Sequence, residues 1–105
     1  MYELLIEMSG EKCYTLSRDY PATMLVGEDG IEVIYPSGNI VIIPKTMVLN
    51  AINMLINQGT LTVDDVHLLI THENRTRTDK IMAVLRKLPG VTIEKLPRVL
   101  NYTKP

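Results

Sequence analysis

The feature that most constrains the fold is a change of hydrophobic period at residue 44. "GIEVIYPSGNIVIIP", residues 30–44, holds two β-rich runs, 31–35 and 40–43, around Pro36, Ser37, Gly38 and Asn39. Proline presets φ, and glycine and asparagine tolerate φ > 0, so these residues predict a turn and the two runs a β-hairpin. Directly after it, "PKTMVLNAINMLINQG" sets Val48, Ala51, Ile52 and Leu55 at the i, i+3, i+4, i+7 spacing of one helical face. Pro44 suits a first turn and Gly59 the position just past a last one, which predicts a helix over about 45–58. Strands followed by helices are the pattern of an α+β protein.

The rest of the first 43 residues also reads as strands. "YELLIEM" and "KCYTLS" are short apolar runs on either side of the turn-forming "SGE", and "ATMLV" stops at "GEDG". Beyond Gly59 the helical period returns. Thr62 and Asp65 have the spacing of a capping box, with Val63, Val66, Leu69 and Ile70 as inward positions. Asp64 and Asp65 suit the positive end of that helix and, being adjacent, do not face each other as paired catalytic carboxylates would. "THEN" is a polar turn, and Thr76 with Asp79 repeats the capping spacing. Ile81, Val84, Leu85 and Leu88 then form an apolar stripe, and Pro89-Gly90 ends a helix of about 76–88. "VTIEK" and "VLNYT" predict a closing hairpin.

Helix, short capped helix, basic helix and hairpin in this order resemble the winged helix-turn-helix superfamily over about residues 44–103, including the "KLPGV" exit from the last helix. The resemblance implies N-terminal antiparallel β-strands followed by a three-helix winged helix-turn-helix with a C-terminal β-hairpin wing. At 105 residues this is one expected domain, 1–43 its β-rich part and 44–105 its winged-helix-like part. The resemblance also implies double-stranded DNA as partner, with helix 76–88 in a major groove and the wing beside it.

Charge is distributed to suit that reading, and equally to suit a surface through which two copies pair head to tail. Residues 71–105 hold eight basic residues against three acidic, a net of +5, while residues 1–70 hold three against nine, a net of −6. Asn74, Arg75 and Arg77 stand at the helix entry, where Asn and Arg side chains read adenine and guanine edges bidentately. Lys80, Arg86 and Lys87 are candidates for backbone phosphates, and Lys95 and Arg98 for the wing tip. With the apolar stripe inward, steps of about 100° put Asp79, Ala83 and Arg86 on the outward face. The expected function is a DNA-binding protein, a transcriptional regulator or a mobile-element accessory protein acting as a homodimer. The alternative is a non-catalytic protein–protein interaction or self-association module. That alternative predicts an exposed apolar patch, with Met82 or members of the 22–26 strand as candidates, or an unpaired edge strand.

Other functions find little purchase. His67 and His72 are the only histidines and Cys13 the only cysteine, so zinc lacks its ligands; residues 72–76 read "HENRT", not HExxH. Ser9, Ser17 and Ser37 lie in no nucleophile elbow, and no glycine-rich loop cradles a nucleotide. No enzyme activity, metal or cofactor is expected. Five Tyr with no Phe or Trp is a poor stacking platform for single-stranded nucleic acid. A lone cysteine, a start without a basic signal-peptide region and the lack of an apolar run of roughly 18–20 residues lead to the expectation of a cytoplasmic protein with no membrane partner.

Overall fold

The computed structural model describes residues 1–70 and 77–105. The chain opens with a helix, α1 (Tyr2–Glu7), where strands were expected. Its buried residues, Tyr2 and Leu5, are three apart rather than two, and Glu and Leu are good helix formers. Four antiparallel strands follow in simple order: β1 (Lys12–Tyr14), β2 (Pro21–Val26), β3 (Gly30–Ile34) and β4 (Ile40–Pro44). Alternation puts Cys13, Ala22, Met24, Val26, Ile31, Val33 and Ile43 on one buried face. Gly30 is fixed by sterics, because a Cβ on it would stand 2.5 Å from the Ile43 carbonyl oxygen.

The predicted helix is α2 (Lys45–Gln58), with Val48, Ala51, Ile52 and Leu55 inward and Gly59 left-handed at its end. A short strand, β5 (Thr60–Thr62), precedes α3 (Val63–Leu69). Thr62 and Asp65 make the anticipated capping box in both directions, at 3.1 and 2.9 Å. After α4 (Thr78–Leu85), the chain forms β6 (Val91–Lys95) and β7 (Arg98–Tyr102). These last strands join β5 in a second sheet of order β5-β7-β6.

The protein is therefore α+β, but it is not strands followed by a three-helix winged helix-turn-helix with a C-terminal wing. The described residues form four helices, the first at the N-terminus, and two sheets. The C-terminal hairpin is no free wing: β7 is the middle strand of three, hydrogen-bonded to β5 as well as β6. Three-residue β5 carries too few alternating positions to register as a strand in the sequence.

The expected outward face of the basic helix is reduced: Ala83 is buried, while Asp79 and Arg86 are half-buried. Thr78 and every residue from Ile81 to Leu85, Ala83 and Met82 included, are buried. Of the non-stripe residues of α4, Thr78, Met82 and Ala83 are covered as well, while Asp79 and Lys80 stay half-buried. One core takes side chains from both ends of the chain, among them Leu5, Met24, Leu55, Leu85 and Leu100. Among the described residues, no helix is long and apolar enough to cross a membrane.

Candidate functional site

Three basic residues of the C-terminal third, Arg86, Lys87 and Lys95, meet carboxylates of the acidic body. Arg86, just past α4, donates to the carbonyls of Tyr14 and Thr15 at 3.1 and 3.3 Å and to the Asp19 carboxylate at 3.0 Å. Lys95 meets the other oxygen of the same carboxylate. Asp19 sits at φ 52, a left-handed conformation that aspartate tolerates better than most residues. Its carboxyl is held below the ordinary range, by the Lys95 hydrogen bond first and the Arg86 hydrogen bond second. Lys87 pairs with Glu11 at 3.0 Å, and Arg98 with Asp79.

The remaining candidates are engaged differently. Arg77 Nε donates to the Ile42 carbonyl at 2.7 Å, and Lys80 Nζ lies 5.6 Å from the centre of the Tyr35 ring. Asn74 and Arg75, with the Thr76 cap, lie outside the described residues. The geometry thus brings Arg86 and Lys95 together on Asp19. It sends Arg77 and Lys80 toward the β3–β4 side and Arg98 to the first turn of α4. Cys13 is buried in β1, and burial pushes its thiol up.

A different surface stands open. The pairing register aligns Leu25, Glu32 and Ile42 across β2, β3 and β4, and beside them Thr23, Ile34 and Ile40. All six project from the face opposite the core. Leu25 is 41% exposed, Ile40 55% and Ile42 58%, so the aliphatic side chains form neighbouring exposed positions rather than isolated ones. "IVIIP" reads apolar on both sides of β4, the pattern of a strand covered on both faces, yet of its side chains only Ile43 is fully buried.

Comparison with protein-family models, curated proteins and solved structures finds no match. The site must be read from its own chemistry.

At one end this face meets the β2–β3 turn in a hollow of about 400 Å³, lined by Leu25, Glu28, Asp29, Glu32 and Ile42 among others. The turn is fixed from three sides. Gly27 N–H donates to the Gly30 carbonyl at 2.9 Å, Lys45 N–H to the Asp29 carbonyl at 3.0 Å, and the Tyr2 hydroxyl to the Gly27 carbonyl at 2.7 Å. The Tyr2 phenol is shifted up by its burial and, second, by the Asp29 charge. Glu28, Asp29 and Glu32 make no ion pair among the described residues.

The free edge of β4 is less available than its face. Tyr35 N–H to the Asn39 carbonyl and Lys45 N–H to the Asp29 carbonyl frame the β3–β4 ladder, and alternation then points the backbone groups of Ile40 and Ile42 outward. Arg77 already occupies the Ile42 carbonyl. A larger hollow, about 540 Å³, lies under the β6–β7 tip, but its two cations, Lys95 and Arg98, are held by Asp19 and Asp79.

Sequence reasoning named the 22–26 strand as a candidate apolar patch, and Leu25 belongs to it; Met82, the other candidate, is buried. It did not single out Ile40, Ile42, Glu28, Asp29 or Glu32. The unbroken run "IVIIP" was the available signal, because an edge strand apolar on both sides needs something to cover its second side.

Proposed function

We propose that this chain is a non-catalytic protein-association module whose contact surface is the outer face of β2, β3 and β4. The observation that carries this reading is β4 itself, apolar on both faces and covered on one. Burying what remains exposed of Leu25, Ile40 and Ile42 contributes roughly 1 kcal/mol for each side chain. A total of about 3 kcal/mol is below the roughly 4 kcal/mol of a millimolar complex, so the apolar grid alone gives weak docking and polar contacts must supplement it.

DNA contact through the basic third draws less support from the same geometry. A phosphate strand would have to displace Asp19, Glu11 and Asp79 from Arg86, Lys95, Lys87 and Arg98, and α4, with Thr78 and Ile81 to Leu85 buried, has no broad face to lay in a groove.

The test is a selection of displayed peptides on the wild-type protein and on a Leu25→Lys/Ile42→Lys variant, with labelled duplex DNA titrated into the same preparations at low salt. The expected result is a set of peptides that binds the wild type and loses the variant, while both proteins melt alike. Duplex binding that weakens steeply with salt and disappears in Arg86→Ala/Lys95→Ala, together with no face-dependent peptide, overturns the reading in favour of DNA.

A further inference from the structure

We infer that the partner of this face is a cationic–apolar segment of another protein, one that carries Arg or Lys side chains interspersed with aliphatic ones. The inference rests on the docking-face reading and adds the chemistry of the occupant. Leu25 and Ile42 supply the apolar contact, and Glu32 sits between them in the same cross-strand row. Any chain laid over the two aliphatic side chains removes water from that carboxylate. An aliphatic partner leaves it unpaired and desolvated, which is costly. An acidic partner repels it.

A second copy related by a two-fold axis close to Glu32, the centre of the Leu25–Ile42 row, sets that carboxylate near its own counterpart, so self-association in that pose works against this charge. The chain's own Arg86, Lys87, Lys95 and Arg98 are engaged with carboxylates elsewhere, and Lys12, which pairs with Thr23 on this face, stands at the end away from Glu28 and Asp29.

The position of the other two carboxylates sharpens the requirement. Glu28 and Asp29 stand on a turn held by Tyr2, Gly30 and Lys45, so they are presented in a fixed place rather than on a loose loop. Asp29 and Glu32, an odd number of residues apart, leave extended chain on opposite sides, but both line the hollow where the outer face meets the turn. The segment therefore offers one cation to Glu32 and another toward the turn, with an aliphatic side chain for the Leu25–Ile42 floor. Arginine is favoured over lysine, because its weakly hydrated planar fork binds carboxylates bidentately and lies flat on apolar surface.

The probes are three short labelled peptides: alternating arginine and valine, glutamate and valine, and serine and valine. Each is titrated into wild type, into the near-isosteric Glu28→Gln/Asp29→Asn/Glu32→Gln variant and into Leu25→Ser/Ile42→Ser. Anisotropy gives the affinity, and the methyl resonances of Leu25, Ile40 and Ile42 report the place. Melting curves verify that each variant folds. The arginine peptide is expected to bind and move those methyls. It should weaken by about tenfold or more in the neutralised variant and again as salt rises from about 0.05 to about 0.5 M, where the screening length falls to a few ångströms.

Equal binding of all three peptides, with the methyls moving, overturns the cationic preference and leaves the docking face standing. No peptide binding by a wild type that sediments as a dimer, with Leu25→Ser/Ile42→Ser monomeric, makes a second copy the occupant instead. Arginine-peptide binding that ignores Leu25→Ser/Ile42→Ser overturns both readings, because it is then general charge attraction.

Discussion

The two sheets of this protein are built alike and finished differently. Each has a buried face, Met24, Ile31, Val33 and Ile43 in the first and Leu61 and Leu100 in the second. On the opposite face the second sheet aligns Thr60, Asn101 and Thr92 in one row and Thr62, Val99 and Glu94 in the next. Asn101 donates to Glu94 there at 2.9 Å, an ordinary solvated surface. The first sheet presents Leu25 and Ile42 around Glu32, with Ile34 and Ile40 alongside. An antiparallel sheet with one face on the core needs only polar residues outside. The aliphatic exterior of the first sheet is therefore not demanded by its fold, and that difference directs attention to β4 rather than to the basic helix.

The comparison can be tested from the inside out. Leu100→Ala and Met24→Ala, one inward residue from each sheet, should each lower stability by about 2–5 kcal/mol in urea unfolding, since both are buried on all sides. Two separate unfolding transitions, each shifted by only one of the substitutions, would show that the sheets do not share one core.

A smaller loss, about 1–3 kcal/mol, is expected for Arg86→Ala, which releases two carbonyls and Asp19 and so loosens the tie between the 15–20 loop and α4. Asp19→Asn should have a weaker effect, because Asn also accepts the left-handed backbone and Arg86 keeps its carbonyl partners. Its pH dependence has a definite sign. The folded carboxyl is depressed, so its contribution is full above the unfolded value near 3.9 and is lost as pH falls through the folded value. Wild type should melt higher than Asp19→Asn at neutral pH, and the two should converge in acid. A gap that widens toward acid would contradict the Asp19 account.

The smallest stability effect should come from making the first sheet resemble the second. Ile40→Thr/Ile42→Thr keeps β-branched residues in β4 and removes only exposed aliphatic surface, so stability should move by no more than about 0.5 kcal/mol. Peptide binding by the docking face should nevertheless be lost. If unfolding shows a substantial loss, the two side chains are serving the fold, and the contrast between the sheets no longer points to a partner.

Parts of this architecture were legible before any coordinates. The 31–43 hairpin, the 45–58 helix and the Thr62–Asp65 capping box each depend on residues within a few positions of one another, and local spacing carries that information. α1 and β5 were not legible, because each is too short for period 2 and period 3.6 to separate. In α4 the Ile81, Val84, Leu85 stripe was readable as inward, but the burial of Met82 and Ala83 on its other side was not; that depends on what packs there. The basic third was equally plain in the sequence, whereas the carboxylates that engage Arg86, Lys87 and Lys95 are far away, Asp19 standing 67 residues before Arg86.

By itself, then, the sequence determined how the longer segments alternate or wind, where the 36–39 turn and the Thr62 cap fall and how charge divides between the two parts. Only the tertiary structure decided that Arg86, Lys87 and Lys95 meet carboxylates of the body, that the closing hairpin takes a third strand, and that one side of β4 stays uncovered. The physical reason is range. Periodicity and capping act over one or two turns of chain, while burial, ion pairing and strand order are set by segments brought together from opposite ends.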